Sequence, residues 1–240
     1  SSATRDEARK LTEALRGNTG RRGRWGEQTC RNVLEAAGMA GRFDDLVAAD
    51  VLVFAGDYTG GASEDLFTLS AHGLTSGDKV AVLGQSAKGV VTGGVGLRAV
   101  AKVLSSSTIQ LTTDGSTVIE NSADGTAYIV RIDPRMSQRA VDALVARIVV
   151  AGNDTTGGTV EDMVSCSGVD DLEDGDTLKL LYKSAAGAAA VAVDASVYVK
   201  SPVNTVSATG STGYFQTAAT SGGSVLDTTA DGTLLWIKTS

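Results

Sequence analysis

The chain is short of the residues on which most reaction chemistry depends. It has 1 His and 2 Cys, which leaves little for a zinc centre built on nitrogen and sulfur. Cys30 and Cys166 lie far apart, so two separate thiols are expected rather than a disulfide. Aromatic residues amount to 4 Phe, 5 Tyr and 2 Trp against 29 Gly. Bulky packing therefore gives way to small side chains and frequent turns, the balance of a β-rich chain. No run approaches the roughly 20 apolar residues of a membrane-spanning helix. The best, Ala185 to Val193, is mostly Ala and stops at Asp194, so a soluble chain with no membrane partner is expected. Ser1-Ser2-Ala3-Thr4-Arg5-Asp6 has no apolar core behind a basic stub, and no secretory signal is expected in this form.

What is present suffices for one or two compact units: 240 residues, of which 42% are hydrophobic. The net charge of −7 argues against a whole-surface nucleic-acid or anionic-membrane binder. Charge is segregated, however. Residues 1–24 hold seven basic and three acidic side chains, or +4, leaving −11 for the rest. Thr4-Arg5-Asp6-Glu7 has capping-box spacing, and Ala8, Leu11 and Leu15 form an apolar stripe that Gly17 ends. A second helix is expected from Trp25 to Ala37, closed by Gly38 and Met39. Residues 1–45 thus read as a helical hairpin, with Arg21, Arg22, Arg24 and Trp25 at its turn as the candidate charged contact. Guanidinium groups with an indole suit phosphate and base stacking. They equally suit docking on the acidic remainder of a neighbouring copy.

Leu11-Thr12-Glu13-Ala14-Leu15-Arg16-Gly17-Asn18, Arg22-Gly23-Arg24-Trp25-Gly26-Glu27 and Leu34-Glu35-Ala36-Ala37-Gly38-Met39 resemble the stretch preceding the core of RmuC-type DNA recombination proteins. That resemblance implies a nuclease-like domain downstream, with an acidic residue followed by a Glu/Asp-x-Lys pair. Glu173-Asp174-Gly175-Asp176-Thr177-Leu178-Lys179 comes nearest, and its spacing is wrong. The resemblance stops before any chemistry.

From about residue 50 the pattern turns to period two with Gly and Asp punctuation, and it repeats. Val118 to Ile129 aligns without gaps on Val225 to Trp236, both running through Ala-Asp-Gly-Thr. Phe67-Thr68-Leu69-Ser70 leads to Leu74 to Val80 as Val164-Ser165-Cys166-Ser167 leads to Leu172 to Leu178. The order of markers predicts a tandem duplication: β module 1 at 50–132 and β module 2 at 158–240, joined through 133–157 by a helix. Ser137 would cap that helix, and Ala140, Val141, Leu144, Val145 and Ile148 would share a face until Gly152. The fold class expected is mainly β with minor α: the hairpin, then two related antiparallel β barrel or sandwich modules.

The turn positions of the repeat are Gly77, Asp78, Gly175 and Asp176, with Asp124, Gly125, Asp231 and Gly232 later in each module. Phe67 to Ala71 is expected to return as Lys79 to Leu83. Thr108 to Thr112 is expected to pair with Thr126 to Val130. Gly89 to Gly96 and Ser207 to Gly213 read as variable surface loops.

Phe67 to Val80 with its His72-Gly73-Leu74-x-x-Gly77-Asp78, followed by Val103 to Leu111, resembles a small β module common in structural proteins of tailed bacteriophages. It is also similar to the barrel-like insert of ubiquitin-activating enzymes, again a scaffold. The resemblance implies a non-enzymatic virion building block, a head decoration, minor capsid, neck or tail component. Its partners would be copies of itself and other virion proteins, assembled in the host bacterial cytoplasm.

Other chemistry finds little support. His72 would have to serve any triad, and a base needs a nucleophile and an orienting group converging on it. Asp170, Asp171, Glu173, Asp174 and Asp176 offer oxygen ligands, but Leu172 and Leu181 fall where an EF-hand needs oxygens, and a solvated acidic turn is the reading kept. Gly84 to Gly89 lacks Walker spacing, and no helix pattern follows Gly93-Gly94-Val95-Gly96. No catalytic residue, metal site or cofactor is expected.

Overall fold

The computed structural model describes residues 46–57, 65–154, 162–166, 172–207 and 210–239. The expected helical hairpin lies outside them. Residues 47–240 form one compact unit, whose described residues build twelve strands and one α-helix in two closed barrels.

The first barrel contains β1 (Val51–Asp57), β2 (Leu66–Thr68), β3 (Lys79–Gln85), β4 (Arg98–Ser105), β5 (Thr108–Thr112) and β6 (Gly125–Arg131), closing in the order β1-β2-β5-β4-β3-β6. The second contains β7 (Ile148–Asp154), β8 (Met163–Cys166), β9 (Thr177–Lys183), β10 (Ser196–Ser207), β11 (Gly210–Ala218) and β12 (Gly232–Lys238). It closes as β7-β8-β11-β10-β9-β12, the same order with every strand number raised by six. The repeat seen in the sequence is therefore a duplication of topology.

Several local expectations change. β2 pairs with β1 and β5, not with β3, and β5 pairs with β4 and β2, not with β6. Closure sends each short strand to a distant partner, where sequence proximity had suggested hairpins. Helix α1 (Gln138–Val145) begins where expected, with the Ser137 hydroxyl accepting the Ala140 amide at 3.2 Å. It ends earlier, at Val145. Ile148-Val149-Val150 is β-branched and pairs with Trp236, Leu235 and their neighbours on β12. Module 2 thus takes its first strand from residues placed in the joining segment, before the start expected at 158. Of Ser207 to Gly213, expected as a loop, Ser207 ends β10 and Gly210 to Gly213 open β11, the two strands pairing with one another.

Each barrel is filled by inward-facing residues. Phe54, Phe67, Val80, Val82, Ile109, Leu111 and Ile129 fill the first; Leu178, Leu180, Val197, Val199, Phe215, Leu234 and Trp236 fill the second. Equivalent cross-strand pairs exchange bulk. Phe54 faces Ala127 in barrel 1, whereas Ala151 faces Leu234 in barrel 2; Phe67 faces Ile109, whereas Val164 faces Phe215. Keeping pair volume preserves packing while identities drift.

Four strands are apolar without alternation because both their faces are covered. Ala81 and Leu83 on β3, Tyr128 on β6, Leu181 on β9, and Leu235 and Ile237 on β12 lie outside the two barrel cores, yet each is at most 2% exposed. They line a seam between the barrels. A Cβ on Gly84 of β3 would stand 2.5 Å from Val150 and 3.8 Å from Leu235. Tyr128 meets Tyr182 with ring centroids 5.5 Å apart. By strand equivalence Gly84 matches Tyr182 and Leu235 matches Tyr128, so each of these contacts is the other's mirror in the duplication.

Candidate functional site

His72 is buried, and its surroundings are backbone. Its Nδ1 accepts the Leu74 amide at 3.0 Å, and its Nε2 meets the Ser105 carbonyl at 3.1 Å. That pair of partners puts the ring hydrogen on Nε2. The ring also packs against Phe54, 5.9 Å between centroids. Both nitrogens are thus engaged in tying the chain after β2 to the end of β4.

The Gly-Asp positions build the same turn twice. Gly77 and Gly175 hold φ of +99° and +92°, where glycine has no Cβ penalty. Their amides donate to Ala101 and Val199, both at 2.9 Å. The Asp78 carboxylate accepts the Thr75 amide at 2.9 Å and that of Asp176 accepts the Glu173 amide at 2.7 Å. Each also pairs with a cation ending the sixth strand of its barrel, Arg131 at 3.2 Å and Lys238 at 2.6 Å. One dipeptide therefore ties each turn to two strands. Of the acidic run, Asp170 and Asp171 fall outside the described residues.

Gly125 and Gly232 open β6 and β12, each directly after its Asp, 124 or 231. A Cβ on Gly125 would meet Ser86 Oγ at 2.5 Å and Val90 Cγ2 at 2.6 Å; on Gly232 it would meet Ala188 at 2.6 Å and Ser184 Oγ at 2.8 Å. These glycines admit the segment that follows the third strand of each barrel. In module 1 it lies in the stretch expected as a variable surface loop, where Thr92, Gly93 and Val95 are exposed while Val90 and Val91 turn inward as a plug. Val90 and Val91 are at most 1% exposed, and their equivalents Ala188 and Ala189 at most 5%. The residue before each plug anchors it. Gln85 Oε1 accepts the Val91 amide at 2.9 Å. Lys183 Nζ donates to the carbonyls of Ala186, Ala189 and Val191 at 2.8, 3.1 and 2.8 Å.

The turns leaving the plugs receive the other half of the molecule. Gln138, opening α1 ahead of barrel 2, donates to the Gly96 carbonyl of barrel 1 at 2.9 Å. Ala48, in the turn ahead of barrel 1, donates to Asp194 of barrel 2 at 2.8 Å. Each module's leading segment is thus held by the other module.

Sequence reading missed β7. The signal was available as Asp57-x-Thr59-Gly60-Gly61-x-x-Glu64-Asp65, repeated as Asp154-x-Thr156-Gly157-Gly158-x-x-Glu161-Asp162. Its last residue acts alike in both copies. Asp65 and Asp162 share φ of +61°, and their carboxylates accept the amides of Asn121 at 2.5 Å and Thr228 at 2.7 Å.

Among the described residues, no three His, Cys, Asp or Glu side chains are grouped to hold a metal ion, and no helix is long and apolar enough to cross a membrane. Arg21, Arg22, Arg24 and Trp25 lie outside the described residues. That segment is where the comparisons with known proteins speak: a model of the RmuC family matches residues 1–49, a stretch that ends ahead of β1. No curated protein and no solved structure matches the chain.

Proposed function

We propose that the protein is a non-enzymatic structural subunit of a tailed-phage particle, a head decoration or minor capsid protein or a neck or tail component. It works through contacts with copies of itself and with other virion proteins after assembly in the host bacterial cytoplasm. The observation that carries this reading is the use to which chemistry-bearing side chains are put. His72 and Lys183 hold backbone, and Asp78 and Asp176 hold a backbone amide and the cation that ends the sixth strand, each in a device of the barrel frame. The particle assignment rests on the resemblance of His72-Gly73-Leu74-x-x-Gly77-Asp78 to phage structural modules. Mass spectrometry of purified particles tests it: a stoichiometric band at high copy number is expected, and absence from the particles overturns it.

A second reading, a DNA-binding protein of the recombination type, is favoured by the RmuC-family match over residues 1–49. It requires DNA affinity that falls steeply with salt and is lost when Arg21, Arg22 and Arg24 are changed to Gln. Equal retention of the triple variant on DNA would remove it.

A further inference from the structure

The two barrels differ in what their cations meet. On β4, Ala99, Ala101 and Val103 face the core of barrel 1, so Arg98 and Lys102 point outward. Lys79 on β3 points outward likewise and stands opposite Val100, while Arg98 stands opposite Ala81. Three cations thus surround Val100 on the outer face. The segment leading to α1 adds two more. Its Ile132 amide donates to the Lys79 carbonyl at 2.9 Å and Gln138 to the Gly96 carbonyl at 2.9 Å, which brings the exposed Arg135 and Arg139 to the same end. The carboxylates alongside are engaged elsewhere. Asp78 pairs with Arg131, Asp133 accepts the Arg135 amide, Asp142 accepts the Gln138 side chain, and Asp114 accepts amides of its own turn. Among the described residues no carboxylate pairs with Lys79, Arg98, Lys102, Arg135 or Arg139. The Nε of Arg98 is enclosed with no acceptor. Counting Arg131, six cations stand against those four carboxylates, a local +2 in a chain of −7.

We infer that this outer face of barrel 1 receives the acidic module 2 of a second copy of the chain, head to tail; the inference deepens the structural reading above and rests on it. Two observations select that occupant. The first is that a barrel closes without these cations. The equivalents of Lys79 and Arg98 in barrel 2 are Thr177 and Ser196, and Lys200, equivalent to Lys102, gives its Nζ to the Gly223 carbonyl at 2.6 Å. An unmet guanidinium donor lowers stability, so its presence in one barrel alone points to an anionic partner outside the fold. The second is that the complementary charge lies on the same chain. Residues 147–240 hold 5 basic and 11 acidic side chains, or −6. Four of those five, Arg147, Lys183, Lys200 and Lys238, are held by carbonyls of their own module or by Asp176. Exposed acids such as Glu173 and Asp227 make no ion pair among the described residues. A chain of −7 is repelled by nucleic acid over most of its surface, but it attracts its own kind where the basic face meets module 2. The two surfaces differ, so each joined pair keeps one of each free and the contact can propagate.

The duplication supplies the test. Lys79→Thr with Arg98→Ser gives barrel 1 the residues with which barrel 2 closes, and Lys102→Glu added to the pair reverses the remaining charge. Light scattering of the full chain across a concentration series reads mass at roughly 0.01 M and about 1 M salt, between which the screening length falls from about 30 to about 3 Å. Thermal melts read the barrels. The expected result is a wild-type mass of at least twice 24.4 kDa at low salt that falls to that of a single chain at high salt, and a single-chain mass for the triple variant at both with its melt retained. The variant keeps its acidic module, so a fluorescently labelled sample should sediment faster with excess wild type than alone. A wild-type chain that stays single at low salt, a variant that keeps the wild-type mass, or a labelled variant that wild type does not carry along overturns the inference. Each of these results leaves the particle copy number to decide the structural reading separately.

Discussion

At the scale of the residue, polar groups inside the barrels are satisfied by backbone with few exceptions, and the exceptions are informative. Trp236 is 1% exposed and its Nε1 has no acceptor, so its contribution is volume alone. Trp236→Phe removes an unmet donor along with part of that volume, and a loss under about 1.5 kcal/mol is expected. Trp236→Ala leaves a cavity and is expected to lose about 3–5 kcal/mol; urea unfolding of both variants checks the contrast. Lys183 presents the opposite case, a charged donor with three backbone acceptors. Lys183→Met strands those carbonyls and is expected to lose about 1–3 kcal/mol. Lys183→Gln should recover part of that loss, since Gln85 anchors the equivalent plug with a single hydrogen bond. Equal midpoints for the two variants would show that the plug holds without its anchor.

At the scale of the element, α1 shows what periodicity can and cannot reveal. Val141 and Leu144 are buried and Asp142 is exposed, as one apolar stripe predicts. Leu144→Asp buries an unpaired carboxylate and is expected to lose about 3 kcal/mol or more, whereas Asp142→Ala should stay within about 0.5 kcal/mol. A melt in which the two variants coincide would contradict the packing described. The same stripe hid β7, because Ile148 continues the helical spacing of Val141, Leu144 and Val145 by coincidence of side-chain type. Strand existence was otherwise legible where apolar runs were long, as in β3 and β6, and in β12 through the repeat. Strand partners were not, because closing a barrel pairs β1 with β6 across most of a module, and no local signal carries that distance. Gly89 to Gly96 was legible as an irregular loop with exposed residues; that Val90 within it packs against Gly125 was not. The Gly and Ser residues around 207–213 were read as a loop because they lack the apolar alternation of a strand; their pairing comes from the ladder of β10 with β11. His72 was legible as a residue without a catalytic partnership; its two backbone partners required the fold.

At the scale of the whole molecule, the duplication makes the unit of residues 47–240 behave as a dimer on one chain. Each module's leading segment is held by the other, through Ala48 with Asp194 and Gln138 with Gly96, and the seam places equivalent residues in equivalent contacts. The two sides of the seam differ in bulk: Gly84 leaves room for Val150 on one side, and its counterpart Tyr182 fills the other. Gly84→Ala should therefore act as overpacking, with a loss of about 1–3 kcal/mol, although the site is a strand where Ala is otherwise the better residue. The seam also carries a titration. Burial, with a smaller contribution from Tyr182, pushes the Tyr128 hydroxyl up from 10.0 to about 12. In the unfolded chain Tyr128 gives up its proton near 10, so the unfolded state binds fewer protons than the folded state between the two values. Its contribution to stability is complete below pH 10 and is lost as pH rises toward 12. Phenolate absorbance should show one tyrosine ionising well above the others, and Tyr182→Phe should bring that late titration to lower pH by removing the neighbouring charge. If the late-titrating phenol persists unchanged in Tyr128→Phe, the seam does not bury Tyr128 as described.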